Sequence, residues 1–343
     1  MGEEMIISQR ENENYQTNEQ SQRTSGKQEG RNVTVVTGFF LLGFQNHQNI
    51  RIFLFCLFLM IYCGTICGNL LIIVLVSTSR SLHTPMYFFI SQLSISDILL
   101  ITNIVPNLLH VLLNNGGTIL IADCFTQFYF FCASETFQCF LLSVMSYDRY
   151  LAICNPLRYI SIMTNTLCVR LVIMCWGFGF FIIIIDIITT SNLHYCGPNI
   201  IDHFFCDVVP LMKLACSETF ISQLGTYLIG IPIVLIPTTI IVVSYIYIIL
   251  AVLSIQSTTG RQKAFSTCSS HLIVTSIFYW SMFSVYVVPT KGQSSTISKI
   301  LSLLYTVFTP FINPIIYSLR NKDIMKAVQE TQRKRTGRQT IKW

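Results

Sequence analysis

What this sequence lacks first is charge. Asp, Glu, Lys and Arg make up 11% of its 343 residues, against about 25% in an ordinary soluble domain. A soluble chain of this length would split into two domains, and there are too few charges here to cover their surfaces. Internal repeats are lacking, as are paired interrupted helices in matching halves, which argues against a secondary transporter. The charged residues cluster at separate depths and do not line a path through, as a channel would need. No His-Glu-x-x-His motif occurs, and no Ser-His-Asp set can be placed at one depth, so a membrane enzyme is disfavoured and no cofactor is implied. A secretory signal peptide is missing as well. Residues 1–31 are polar, rich in Glu, Gln and Asn, and such a composition reads as disordered.

What is present is long apolar runs. A helix needs about 20 apolar residues to cross a bilayer core roughly 30 Å thick. Seven candidate spans run Ile52–Val76, Tyr87–Leu112, Phe125–Ile153, Leu171–Thr189, Phe220–Leu253, Leu272–Val288 and Ile297–Leu319. Helices satisfy their backbone groups internally, whereas a barrel would show short alternating segments. The expected fold is therefore an all-α membrane protein, a seven-helix bundle over 51–319. Residues 1–50 form a tail before it. Residues 320–343 follow it, with an amphipathic stretch from Asp323 to Gln332 carrying Ile324, Met325 and Val328. The first span must act as the targeting signal.

Lys and Arg in short loops orient the bundle. Arg80, Arg149, Arg158, Arg170, Arg261 and Lys263 fall on one side, joined by Arg320, Lys322, Lys326 and the run Arg333–Lys334–Arg335. The other side holds Lys213, Lys291 and Lys299. The basic side is expected in the cytoplasm of a multi-pass plasma-membrane protein, with the N-terminus outside. The net charge of +6 then points to an acidic lipid leaflet as neighbour, not to nucleic acid. Asn32-Val33-Thr34 is the one N-x-[ST] site and lies in the outer tail, where glycosylation is expected.

Four of the thirteen cysteines would be outside: Cys124, Cys196, Cys206 and Cys216. They allow three pairings, and spacing does not choose among them. His194, Cys196, His203 and Cys206 could instead hold a metal, but disulfides would consume the thiols. Charges within spans default to functional hypotheses. Asp97 lies mid-span with Asn69 and Asn313 in neighbouring spans, as either a structural hydrogen-bond network or a site for water or a sodium ion. Asp186, near the outer end of the fourth span, could snorkel. Glu135 lies about 14 residues before Arg149, roughly 21 Å deeper by helical rise. An isolated carboxylate there tends to become neutral; it either hydrogen-bonds within the bundle or faces a pocket and meets an amine. Asp148-Arg149 sits at a rim, where such a neighbour pair is usually cheap.

Five strings in order carry more. They are LHTPMYFFISQLSISD from Leu82, MSYDRYLAICNPLRY from Met145, CGPNIIDHFFCDVVPLMKLACSET from Cys196, KAFSTCSSHL from Lys263 and NPIIYSLRN from Asn313. Together they resemble the vertebrate odorant receptors of the tetrapod-type class, within the rhodopsin-like G-protein-coupled receptors, over roughly residues 36–325. The resemblance implies a small, mostly apolar volatile ligand in the outer half of the bundle. It implies a stimulatory heterotrimeric G protein as partner, with a rise in cyclic AMP. It pairs Cys124 with Cys206 and Cys196 with Cys216. Asp148, Arg149 and Tyr150 resemble the acid–arginine switch. Asn313, Pro314 and Tyr317 resemble the seventh-helix switch, and Tyr245 resembles its fifth-helix partner. Inward positions in the implied ligand zone are Phe131, Cys132, Glu135 and Thr136, then Thr226 and Ile229, then Tyr279, Met282, Phe283 and Tyr286. Two departures stand out. Trp280 follows Phe278-Tyr279 where the family has glycine, and is expected to fill the pocket floor or a helix contact. Gln138 stands where many relatives have Glu.

Overall fold

The computed structural model describes residues 37–196, 198–286, 295–320 and 323–330. The polar tail, Asn32, Lys291, Lys322 and the run Arg333–Lys334–Arg335 lie outside these residues, as do the side chains of Lys263, Tyr286 and Arg320.

Seven long helices dominate. They are α1 (Gln48–Thr78), α2 (Pro85–Asn114), α3 (Ile121–Cys154), α4 (Asn165–Ser191), α5 (Phe220–Ser254), α6 (Thr258–Tyr286) and α7, which runs Ser295–Leu303, a π-helical turn Leu304–Phe308, and Thr309–Arg320. Local chemistry sets several ends. Pro85 opens α2 at a position where a missing N–H is harmless. Asn115, left-handed at φ 55°, closes it. The Thr164 hydroxyl accepts from Leu167 N at 3.3 Å to cap α4.

Among the described residues, six helices are long and apolar enough to cross a membrane. The helix α6 starts at Thr258 instead of the Leu272 expected from hydropathy. Its first half carries Arg261, Lys263, Ser266, Ser269, Ser270 and His271, which dilutes the apolar signal without breaking the helix.

Burial sorts the helices. Of the apolar stretch of α3, 72% is buried, against 28% for α1, α4 and α5. The helix α3 is therefore the axis around which the others pack. The peripheral helices turn Phe53, Met60, Ile173, Phe181 and Leu235 outward, the reverse of a water-facing surface. Packing of α4 on α3 is close. A Cβ on Gly179 would lie 2.6 Å from the Ala133 carbonyl oxygen. Phe137 stacks on Trp176 beside it, with centroids 3.9 Å apart.

One end of the bundle carries a three-stranded sheet of order β2-β1-β3: β1 is Gly38–Leu41, β2 Gly117–Leu120 and β3 Ile200–Ile201. The middle strand β1 pairs antiparallel with β2 and parallel with β3. The opposite end carries a short helix at Pro156–Ile162 and a helical segment at 323–330. In that segment Ile324 and Ala327 are buried against the core while Met325 is exposed. Tyr87 at the start of α2 donates to Asp323 at 3.0 Å, which ties the segment down.

Candidate functional site

The sheet end is stapled by two disulfides, Cys124–Cys206 and Cys196–Cys216, with Cα atoms 5.5 and 6.0 Å apart. Both bridges draw on the thiols of the alternative metal site, and no group of three or more His, Cys, Asp or Glu among the described residues is placed to hold a metal. A side-chain brace that sequence reasoning missed backs the first bridge. Gln127 Oε1 accepts from Cys206 N at 3.0 Å, and Gln127 exchanges hydrogen bonds with Asn103 at 2.9 and 3.0 Å.

Lys299 was expected in an outer loop; it lies inside α7 and is buried. Its Nζ donates to the Gly43 carbonyl at 2.7 Å and pairs with Asp202. His203 beside it is buried between Phe204 and Phe205, with centroids 4.7 and 4.8 Å away. Burial, then the Lys299 ammonium, pushes its pKa down to about 3, so the ring is neutral.

Below the sheet, three successive turns of α3 present Phe131, Glu135 and Cys139 on one face. Phe131 packs against Phe205 at 5.1 Å and against Tyr305, in the π-helical turn of α7, at 5.9 Å. Cys139 offers its carbonyl to the Tyr279 hydroxyl of α6 at 3.1 Å. Between these two contacts Glu135 is 6% exposed, and neither carboxylate oxygen has a hydrogen-bond partner among the described residues. One sequence alternative expected such a partner within the bundle; none is found among the described residues.

The remaining ligand-zone candidates scatter in their environments. Thr136 and Met282 are buried, and Cys132, Thr226 and Ile229 are half-buried. Thr226 is already engaged: its hydroxyl donates to Asp186 at 2.6 Å. Asp186 therefore bonds across α4 and α5 and does not snorkel. Phe283 is 51% exposed and Trp280 71% exposed. Trp280 fills neither the interior nor a helix contact, because it lies on the outward face of α6 with Leu272, Ser276 and Phe283.

A second polar cluster lies deeper, between α1, α2, α3 and α7. Asp97 accepts from Asn313 at 2.9 Å and from Gln138 at 3.1 Å. Asn69 donates to the Pro310 carbonyl at 3.2 Å. Gln138, known from sequence only as a departure, is thus the donor that the Asp97 carboxylate needs, and it reaches Ser96 at 3.2 Å too.

At the far end Arg149 pairs with its neighbour Asp148 and is held with only 11% of its side chain exposed. Tyr159 from the short helix donates to the other Asp148 oxygen at 2.9 Å. Burial, then the adjacent carboxylate, pushes that hydroxyl up, so it stays a donor. Tyr150 accepts from Asn155 at 3.4 Å. Tyr245 meets His271 of α6 at 2.7 Å. Tyr317 on α7 is buried, with its hydroxyl unpartnered among the described residues. Pro314 sits inside α7, and a Cβ on Gly68 of α1 would be 3.1 Å from its ring.

Comparison with known proteins completes the site. Residues 55–334 match the family model described as olfactory receptor. Human olfactory receptor 11L1 is 45% identical over 309 residues, covering 90% of this chain and 96% of that one. Human olfactory receptor 6N1 is 45% identical over 306 residues, 89% of this chain and 98% of that one. Mouse olfactory receptor 5G9 is 42% identical over 300 residues, 88% and 96%.

Proposed function

The chain belongs to the olfactory receptor family, and from that premise we propose how it works. It crosses the plasma membrane seven times, with the sheet end outside and the Arg149 end in the cytoplasm. Residues 1–50 form the outer tail and 320–343 the cytoplasmic helix and tail. A small volatile ligand binds below the sheet, among Phe131, Cys132, Glu135, Thr136, Thr226, Ile229, Tyr279, Met282 and the outer end of α6. Binding is passed to a stimulatory olfactory-type heterotrimeric G protein, and cyclic AMP rises.

The observation that carries this reading is that one helix, α3, joins both ends of the device. Phe131 and Glu135 line the proposed ligand zone, and Asp148 and Arg149 sit on the same rod, about 20 Å from Glu135 by helical rise. In the arrangement described, Asp148 and Tyr159 hold Arg149 in place. Activation moves the cytoplasmic end of α6 outward, breaks the Tyr245–His271 contact and frees Tyr245 to approach Arg149 and Tyr317. A ligand drives this only by binding the open bundle better than the closed one. An odorant of about 10–12 heavy atoms gains roughly 4–7 kcal/mol in total, so binding in the range of roughly millimolar to ten micromolar is expected.

Cells that carry the full chain at their surface, screened with a panel of volatiles and read by cyclic AMP, test the proposal. At least one compound is expected to give a saturable response. Surface-resident protein that answers no volatile overturns it.

A further inference from the structure

Resting on that reading, we propose that the ligand this receptor prefers carries a protonated amine, which Glu135 receives between an aromatic roof and a tyrosine floor. Buried acids are the starting point. Glu135 and Asp186 are buried below the sheet, and Asp207 is buried at its edge. The buried Lys299 is committed to Gly43 and Asp202. His203 is neutral, as its depressed pKa requires.

The three acids are not equivalent. Asp186 accepts from the Thr226 hydroxyl, and Asp207 accepts from Val208 N at 2.8 Å, capping a short helix. Glu135 has neither service to perform. It is 94% buried, by its 6% exposure, and both oxygens are unpartnered among the described residues. Burying a carboxylate without hydrogen bonds is expensive, and a ligand that supplies a charge-assisted donor removes that penalty.

The neighbours favour a cation over a neutral donor. One turn toward the sheet, Phe131 packs with Tyr305 and Phe205. Aromatic rings attract an ammonium group as well as its alkyl substituents. One turn away from the sheet, the Tyr279 hydroxyl is fixed on the Cys139 carbonyl, so it does not compete for the carboxylate. A hydroxyl ligand would satisfy one Glu135 oxygen; an ammonium brings several donors and the opposite charge.

The test uses the full chain at the cell surface, with volatile alkylamines each paired with the alcohol of the same skeleton. In the parent chain the amine is expected to be at least about tenfold more potent than its alcohol, equivalent to about 1.4 kcal/mol. In Glu135→Gln that ratio is expected to fall close to one. Alcohols that match or exceed their amines in the parent chain overturn the proposal while leaving the odorant reading intact. A surface-resident Glu135→Gln that keeps the parental ratio overturns it as well. If no volatile of either class evokes a response, both readings fall. Should Glu135→Gln fail to reach the surface, the parental ratio still decides, and Glu135→Asp, which keeps the charge, is expected to retain a preference for amines.

Discussion

Two glycines two residues apart on α4 allow a clean measurement of how tightly the bundle is packed. At Gly179 an added Cβ would lie 2.6 Å from the Ala133 carbonyl oxygen and 3.5 Å from Phe137 N. The first distance is below any contact that real Cβ atoms make, and the obstacle is backbone, which cannot rotate away. At Gly177 an added Cβ meets nothing within 4 Å. Replacing either glycine with alanine gains about 1 kcal/mol of helix propensity. Only Gly179→Ala also overpacks the α3–α4 contact, which costs about 1–3 kcal/mol. The propensity gain is common to both, so the difference between the variants isolates the steric cost. Gly177→Ala is expected to unfold at a higher temperature than the parent chain. Gly179→Ala should unfold below Gly177→Ala by about 1–3 kcal/mol of stability, with larger side chains worse. Thermal unfolding of detergent-purified protein provides the assay, and surface staining in cells gives a second readout. Equal midpoints for the two alanine variants would refute the close approach.

Arg149→Ala is expected to abolish agonist-driven cyclic AMP while leaving surface staining largely intact; responses of parental size would remove Arg149 from the switch. Cys124→Ser or Cys206→Ser opens a loop spanning 82 residues and forfeits about 2–4 kcal/mol, so surface delivery should fail; equal staining of parent and variant contradicts this. His203 makes the sheet end sensitive to acid. Its folded pKa lies near 3, below the ordinary 6.5, so the unfolded chain binds more protons between those values. Its stabilising contribution is intact above pH 6.5 and declines as pH falls toward 3, by at most about 1.4 kcal/mol per pH unit. Melting curves from pH 7 to pH 5 should show the decline, and His203→Phe should flatten it; an unchanged slope would exclude His203 as its source.

Much of the architecture was legible because lipid imposes one rule on every span. Apolar runs marked seven spans, whereas the ends set by Thr164 and Pro85 were not singled out. The start of α6 was the least legible, because its polar first half hides it from hydropathy. Asp97, Asn69 and Asn313 were legible because polar groups at one depth must find one another. Gln138 was not singled out as their partner, since an uncharged side chain raises no alarm in a span. The bond from Thr226 to Asp186 spans 40 residues, and no local pattern encodes it. Trp280 is the instructive miss. Leu272, Ser276, Trp280 and Phe283 recur at helical spacing, so the outward face was readable had the period been followed along the whole helix instead of around the motif. Lys299 was misplaced for a related reason: a lysine at a span edge looks solvent-bound until a carbonyl and a carboxylate are found around it.

The sheet has a consequence for how the protein is made. Its middle strand, β1, is the first of the three to leave the ribosome. Phe40 waits for Ile200, 160 residues later in the chain. At a synthesis rate of roughly 5–20 residues per second, that delay is on the order of 8–30 s. Throughout it, β1 has at least one edge with unpaired N–H and C=O groups, open to strands of other nascent chains. Lys299 closes the arrangement only after six of the seven helices have been made. Assembly of the sheet end is thus a late, chain-wide event. Any delay in synthesising the segment between α4 and α5 lengthens the time for which the first strand is exposed, and with it the demand on chaperones.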